Sequence, residues 1–457
     1  MISKDTICAI ATPAGNGAIA VIRLSGDKSY EILTHVFNSE TKDWKANSIV
    51  YGNIVQNSEI IDEVLVSFFK NPKSYTGEDS IEISCHGSTF IQQKILELLI
   101  NHGARIAQPG EFTMRAFFNG KLDLSQAEAV ADLIACTSEN SHRIAINQVR
   151  GGFSKNINSL RSELLDFASL IELELDFGEE EVEFADRTKL LELSDKIYSE
   201  IDKLVDSYKL GNVIKKGIPV AIIGLPNVGK STLLNVLLNE EKAIVSDIPG
   251  TTRDAIEDTY IINGVNFRFI DTAGLRHSTD TIEKIGIAKT YEKINQASII
   301  LYVVDISETT IQEITENIND FKSKMDDPNK KIILIANKID KLMDLPKGGK
   351  KLFEWETIFV SAKRKENIQL IADSLMKAVV IKIGNEDTIV SNARHYEALV
   401  KTKEAMTEVQ RSLNENISGD LLAMDIRQAI HYLGEITGQI TTDEILGNIF
   451  SRFCIGK

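Results

Sequence analysis

Cysteine is scarce in this 457-residue chain: there are four, Cys8, Cys85, Cys136 and Cys454, far apart and with no Cys-x-x-Cys pair. That spacing argues against a zinc ribbon or a disulfide scaffold and fits a reducing compartment. Long apolar runs are missing too. Nowhere do 18 consecutive apolar residues occur, and the start, Met1-Ile2-Ser3-Lys4-Asp5, leads into a short strand-like run rather than a signal h-region. The expectation is a soluble, cytoplasmic protein with no membrane contact. Positive charge is also in deficit, with 51 Lys and Arg against 66 Asp and Glu and a formal net charge of -15. Such a chain repels phosphate backbones as a whole, so any RNA contact must come from a local patch or a partner. There is no internal repeat and no low-complexity tract.

What is present is length enough for two to four domains, and a change of pattern along it. Up to Asn119 the reading is α+β. Ile19 to Leu24, Ile60 to Phe69 and Ile81 to Cys85 read as strands, and Ile91, Ile95, Leu98 and Leu99 form a helical stripe that stops at Gly103. Arg23 and Glu82 interrupt apolar strands, and a charged residue there most simply lies on a solvated face. From Lys121 helices take over. A Ser125-x-x-Glu128 capping box is expected to open a helix with Ala127, Val130, Ala131 and Ile134 on one face. Leu160, Leu164, Phe167 and Ile171 form one later stripe, and Leu190, Leu193, Ile197, Ile201, Leu204 and Tyr208 another, at the spacing of a bundle. The acidic run Glu179-Glu180-Glu181-Val182-Glu183 between them reads as a solvated connection.

Residues 217–378 alternate strand and helix like a doubly wound sheet. Helical stripes resume afterwards through Leu399, Met406, Val409 and Leu413, then Leu422, Ile426, Ala429, Ile430 and Leu433, then Ile445, Ile449, Phe450 and Phe453. The expected organisation is therefore an N-terminal domain, 1–119, and a discontinuous helical domain, 120–216 and 379–457, interrupted by an inserted domain, 217–378.

The inserted domain carries the densest chemistry. An apolar run, Val220 to Ile223, meets Gly224-Leu225-Pro226-Asn227-Val228-Gly229-Lys230-Ser231 and a helical run beginning at Thr232. The glycines leave room for a backbone cradle of N–H groups around a phosphate, Lys230 reaches the β and γ phosphates, and the Ser231 hydroxyl suits Mg²⁺. Downstream, a strand delivers Asp271-Thr272-Ala273-Gly274, where Asp271 suits Mg²⁺ through water and the Gly274 amide suits a γ-phosphate. Further strands deliver Asn337-Lys338-Ile339-Asp340 and Ser361-Ala362-Lys363. Asp340 can accept two hydrogen bonds from the guanine N1–H and exocyclic amine, which selects GTP over ATP.

These motifs resemble translation-factor-like GTPases. Leu275 stands where Ras-like proteins carry a water-orienting glutamine, so catalytic charge must come from elsewhere. In related GTPases the position of Asn227 coordinates K⁺. Backbone around Ser246 and Ile248 and the side chain of Thr251 are expected to complete that cage, with Asp247 and Pro249 in the same segment. Thr252 would join Ser231 on Mg²⁺.

Both ends of the chain narrow the likeness. Ala11-Thr12-Pro13-Ala14-Gly15, Tyr75-Thr76-Gly77-Glu78-Asp79, Cys85-His86-Gly87, Gln108-Pro109-Gly110-Glu111-Phe112, Asn119-Gly120-Lys121-Leu122-Asp123-Leu124 and the terminal Cys454-Ile455-Gly456-Lys457 resemble the MnmE (TrmE) family of tRNA modification GTPases from end to end. The resemblance implies a folate-binding-like α+β domain and a P-loop G domain inserted in a helical one. It implies that 5-formyltetrahydrofolate or methylenetetrahydrofolate is held by Arg23, Glu82 and Lys121, with Lys457 closing the site. Glu283 matches the family's catalytic glutamate, although by itself an acid at a helix start only favours the dipole. Cys454 matches a proposed catalytic cysteine, and a buried helix-end cysteine is the physical alternative. A homodimer is implied, working on tRNA with an FAD-dependent, MnmG/GidA-like subunit in a heterotetramer or larger assembly. The product is an aminomethyl or carboxymethylaminomethyl group on carbon 5 of the wobble uridine. A ribosome-assembly GTPase is the alternative, but it would not need Arg23, Glu82, Lys121 or the terminal Cys-x-Gly-Lys. A helical scaffold with a vestigial G domain would not keep every nucleotide motif.

Overall fold

The computed structural model describes residues 5–40, 44–176, 187–240, 258–270, 297–323, 325, 330–342, 355–378, 388–415, 417–451 and 453–456. At the N-terminus, strands β1 (Ile7–Ile10), β2 (Ile19–Ser25), β3 (Phe37–Asn38), β4 (Ser48–Gln56), β5 (Glu59–Phe69), β6 (Ser80–His86) and β7 (Arg105–Ile106) form one sheet. Its order is β3-β4-β5-β6-β2-β1-β7, antiparallel except at the β1–β7 edge. Period-two alternation drives it. Val64, Val66 and Phe68 of β5, with Ile22, Leu24, Ile81 and Ile83, are buried together against Ile95, Leu98 and Leu99 of the helix Thr89–Asn101. That helix ends before Gly103, whose φ of 105° favours glycine.

The helix Leu124–Ala135 does not begin as the sequence suggests. Asp123 is its N-cap: the Asp123 carboxylate accepts from the Gln126 N–H and the Gln126 side chain accepts from the Asp123 N–H. Ser125 lies inside the first turn, its hydroxyl on Asp123 and Ser154, while Glu128 is buried against Arg394 and His395. A carboxylate committed to a distant arginine cannot turn back to cap its own helix. The expected stripe is also only partly buried, since Ala127 is covered and Ile134 is 51% exposed.

The helices Gly152–Asp176, Arg187–Lys216, Ala393–Asn414 and Gly419–Thr437 share one core. Phe153, Leu164, Phe167 and Ile201 come from before the inserted domain, and Met406, Val409, Ile426 and Leu433 from after it. The stripes of the two halves are thus buried in one common core. Between the halves, β8 (Ile218–Ile223), β9 (Asp258–Ile262), β10 (Val265–Phe269), β11 (Ile299–Asp305), β12 (Lys331–Asn337) and β13 (Glu356–Phe359) build a second sheet, ordered β13-β12-β11-β8-β10-β9. All neighbours are parallel except the β9–β10 hairpin. β11 reads Ile-Ile-Leu-Tyr-Val-Val-Asp and is buried throughout, as a central parallel strand covered on both faces must be. The chain is thus a multidomain α/β and α fold, with a doubly wound domain interrupting a helical one. Among the described residues, no helix is long and apolar enough to cross a membrane.

The last helix, Asp443–Phe450, is capped by the Thr442 hydroxyl and buries Leu446 and Phe450 with Leu124, Ala127 and Phe453. This packing returns the C-terminal tail to the first sheet.

Candidate functional site

β8, β11 and β12 lie side by side and parallel, so their carboxyl ends form one edge. In an open α/β sheet that edge is where ligands bind. After β8 the chain turns at Gly224, where φ is 147° and an added Cβ would stand 2.1 Å from the Val303 carbonyl oxygen. At Gly229, φ is 96° and a Cβ would stand 2.4 Å from Asn337 Nδ2. Asn227 is left-handed as well, with φ of 63°. The loop therefore follows a path open only to residues with little beyond the backbone at these two glycines. It ends on the first turn of the helix Lys230–Glu240, where the direction of the N–H groups and the dipole favour an anion. Lys230 Nζ donates to the carbonyls of Gly224 at 2.9 Å and Leu225 at 2.7 Å, and burial lowers its pKa. The cradle fits a phosphate chain, with Ser231 and Thr232 in that first turn.

Asn337 joins three loops. Its Nδ2 donates to the Val228 carbonyl at 2.8 Å, and its Oδ1 accepts from the Ala362 N–H at 3.0 Å. Asp340 accepts from the Ser361 hydroxyl at 2.6 Å, and that bond, helped by the charges of Arg364 and Lys363, lowers the Asp340 pKa. A carboxylate kept ionised and oriented at this edge suits the two donors of a guanine edge. Lys338 has a left-handed backbone, φ 66°, and its ammonium lies 2.6 Å from Asp305 Oδ2. Sequence reasoning passed over Asp305, although a lone acid closing the apolar run of β11 was a signal.

In the N-terminal sheet, Arg23 of β2 and Glu82 of β6 are register partners. Arg23 Nε donates to Glu82 Oε1 at 2.9 Å, and Nη2 lies 2.7 Å from the same oxygen. They pair with each other, where a lone strand charge would only have met solvent. The guanidinium also lies over the rings of Tyr75, at 5.3 Å, and Phe112, at 5.6 Å. Its Nη1 reaches the Gly456 carbonyl at 3.5 Å, so the C-terminal tail closes one side. Gly456 itself has φ of 100° and no room for a Cβ, which would meet the Ile10 carbonyl oxygen at 2.4 Å. Lys121 stands apart from the pair: its Nζ donates to the Pro72 carbonyl, and its stem borders Gly77. The loop 70–79 touches both. Cys454 is exposed, with its carbonyl accepting from the Gly110 N–H. The buried helix-end alternative for this thiol is therefore corrected: the last helix stops at Phe450 and leaves it outside.

A charge network centred on a buried arginine holds this corner. Arg115, 1% exposed, meets Asp5, Glu78 and Glu111, and Arg105 meets Asp5 and Glu111. Glu78 and Glu111 belong to two of the stretches singled out in the sequence, and their role is to fix the loop carrying Tyr75 and the helix carrying Phe112. Ser246, Asp247, Ile248, Thr251, Thr252, Asp271, Thr272, Ala273, Gly274, Glu283 and Lys457 lie outside the described residues, as do Leu275 and the acidic run 179–183.

A family model described as the MnmE helical domain matches residues 124–454, and one described as the GTP-binding protein TrmE N-terminus matches residues 6–121. The chain is 53% identical over 462 residues to the tRNA modification GTPase MnmE of Flavobacterium psychrophilum, covering 100% of both. It is 51% identical over 455 residues to that of Cytophaga hutchinsonii, covering 99% of this chain and 98% of the relative. Among solved structures it is similar to the G domain of the T. maritima FeoB iron transporter, at 23% identity and a TM-score of 0.26, over 35% of this chain and 98% of that one. On the two family models and full-length relatives at half identity, the chain belongs to the MnmE family of tRNA modification GTPases.

Proposed function

We propose that this chain hydrolyses GTP and, with an FAD-dependent partner subunit, places an aminomethyl or carboxymethylaminomethyl group on carbon 5 of the wobble uridine of tRNA, using a tetrahydrofolate one-carbon unit. The observation that carries the reading is Asn337. It ties the phosphate loop at Val228 to the Ser361-Ala362 loop beside Asp340, so the phosphate and base subsites are one built unit. Gly224 and Gly229 supply a cradle that a side chain would fill, Lys230 the charge for the β and γ phosphates, and Ser231 a ligand for Mg²⁺. K⁺ would be held by Asn227 with the segment containing Ser246, Ile248 and Thr251, and would supply the positive charge that an arginine finger brings in other GTPases.

The donor set around Arg23 fits a folate. A guanidinium backed by two aromatic faces suits a carboxylate or formyl oxygen, Glu82 suits the donor edge of a pterin, and Tyr75 and Phe112 offer flat apolar surface. Bound there, the folate supplies the one-carbon unit, while Arg23 and Glu82 orient it and the tail through Gly456 limits water. Lys121 and Lys457 are proposed as further contacts, Cys454 and Glu283 as catalytic groups, and a homodimer as the working form. The test is mass analysis of the wobble uridine in tRNA from cells lacking this chain. Loss of the modified uridine, restored by the parent chain and not by Lys230→Ala, is expected. Unchanged uridine in the deletion overturns the reading.

A further inference from the structure

We infer that Asp305 is a positioning residue for the base subsite, acting through Lys338. The inference rests on the nucleotide reading above and deepens it. Asp305 ends β11, the strand between β8, which leads to the phosphate loop, and β12, which leads to Asn337, Lys338 and Asp340. In register it stands opposite Asn337. Its two oxygens have separate partners. Oδ1 accepts from the Ser307 N–H at 3.0 Å and the Ser307 hydroxyl at 2.5 Å, fixing the turn that leaves the strand. Oδ2 faces the Lys338 ammonium at 2.6 Å. The approach is poorly aligned for a linear hydrogen bond, so charge holds this contact.

The side chain of Asp305 is only 5% exposed and that of Lys338 25%, so water screens the pair weakly. Lys341, the other cation near the same oxygen, stands at 4.0 Å and is 48% exposed, a weaker competitor. Lys338 starts from a left-handed backbone and is drawn by its tip from the end of β12 toward the end of β11. Its four-carbon stem is thereby laid along the sheet edge between the phosphate loop and Asp340, as an apolar shelf for the flat face of a purine. Without Asp305, a lysine stem samples many rotamers, and each binding event has to order it.

A shelf supports any purine equally, whereas Asp340 reads the guanine edge, and this separates the two roles. The experiment titrates GTP and inosine triphosphate into the full chain by calorimetry, with Mg²⁺ present, for the parent, Asp305→Asn, Lys338→Met and the double variant. Asparagine keeps Oδ1 for Ser307 and removes the charge that holds Lys338. The expected result is about a tenfold loss for both nucleotides in either single variant, with their ratio unchanged and no further loss in the double variant. In steady-state hydrolysis KM rises about tenfold and kcat holds, since the shelf acts on ground and transition states alike. Parent-like affinity in Asp305→Asn, or an Asp305→Asn loss that persists in the Lys338→Met background, overturns the inference. Should Asp305→Asn unfold, parent-like binding by Lys338→Met overturns it independently. A parent chain that binds neither nucleotide overturns the nucleotide reading itself, and the inference with it.

Discussion

Single atoms decide the nucleotide site. At Gly229 a methyl group would meet both a left-handed backbone and Asn337 Nδ2 at 2.4 Å, and the amide that would have to move is itself fastened at both ends. Gly229→Ala is therefore expected to leave a folded chain whose GTP affinity, measured by calorimetry, falls at least about tenfold. Asp340→Asn removes one of two acceptors and presents a donor to the guanine amine. GTP affinity should fall about a hundredfold or more, while xanthosine triphosphate, with an oxygen in place of that amine, gains. Parent-like GTP binding by this variant would remove Asp340 from the base subsite.

At the scale of elements, the informative features are strands and helices pinned by charge. β2 and β6 present Arg23 and Glu82 to each other, and the Arg115 network sets the aromatic rings beside them. Arg23→Ala or Glu82→Ala should weaken 5-formyltetrahydrofolate binding with GTP hydrolysis by the isolated chain little changed. Either variant binding folate as the parent does would move the proposed pocket elsewhere. The helical domain has its own pin. Glu128 takes Arg394 in two hydrogen bonds and His395 Nε2 at 2.7 Å, and Arg394 also meets the carbonyls of Glu435 and Ile436. Burial works against the Glu128 anion, but His395 and Arg394 outweigh it and hold the pKa at about 2. Burial pushes the His395 imidazole below its usual 6.5 despite Glu128. Both groups bind protons more readily in the unfolded chain. The stability these two groups contribute is then full above pH 6.5, declines as His395 is protonated on unfolding, and falls further from pH 4.5 toward 2 as Glu128 is lost. Calorimetric melting of Glu128→Gln at neutral pH should show a loss of about 3 kcal/mol, because the partly buried Arg394 loses its counter-charge, and a flatter acid limb. An acid limb as steep as the parent's would show that the decline originates elsewhere.

For the whole molecule, the insertion matters most. The helical core is shared by segments that precede and follow, in the sequence, the sheet that carries the nucleotide loop, an arrangement in which a change at that sheet would reach both halves of the bundle. A nucleotide-driven rearrangement, with G domains of a homodimer pairing when a K⁺ cage fills, is what the proposed function requires. Steady-state GTP hydrolysis in K⁺ and Na⁺ at equal ionic strength is expected to be fast only in K⁺, and Asn227→Ala to lose the difference. Glu283→Ala should bind GTP and turn it over slowly in either salt. Equal parent rates in the two salts would sink the cage, and normal turnover in Glu283→Ala would return that residue to a helix-start role.

Sequence by itself determined the elements whose signal is periodic or steric. The alternation of β5 and β6, the three/four stripes of the bundle and the short apolar runs of β8 and β12, read with the glycine and polar residues that bound them, each pointed to one secondary structure. The glycines of the phosphate loop and the order of motifs at strand ends were legible in the sequence as well, but the atoms that exclude a side chain at Gly224 and Gly229, the Val303 carbonyl and Asn337 Nδ2, come from other strands. Tertiary structure decided which charges meet. Arg23 and Glu82 are separated by 59 positions, Glu128 and Arg394 by 266, and Asp340 and its Ser361 by 21. Ser125-x-x-Glu128 looked like a cap because Glu128 had no visible competitor in the sequence; the competitor, Arg394, arrives only when the two halves of the helical domain close around the insertion. Local pattern fixes the direction a side chain points, and only the folded chain brings the group that it meets and removes the water between them.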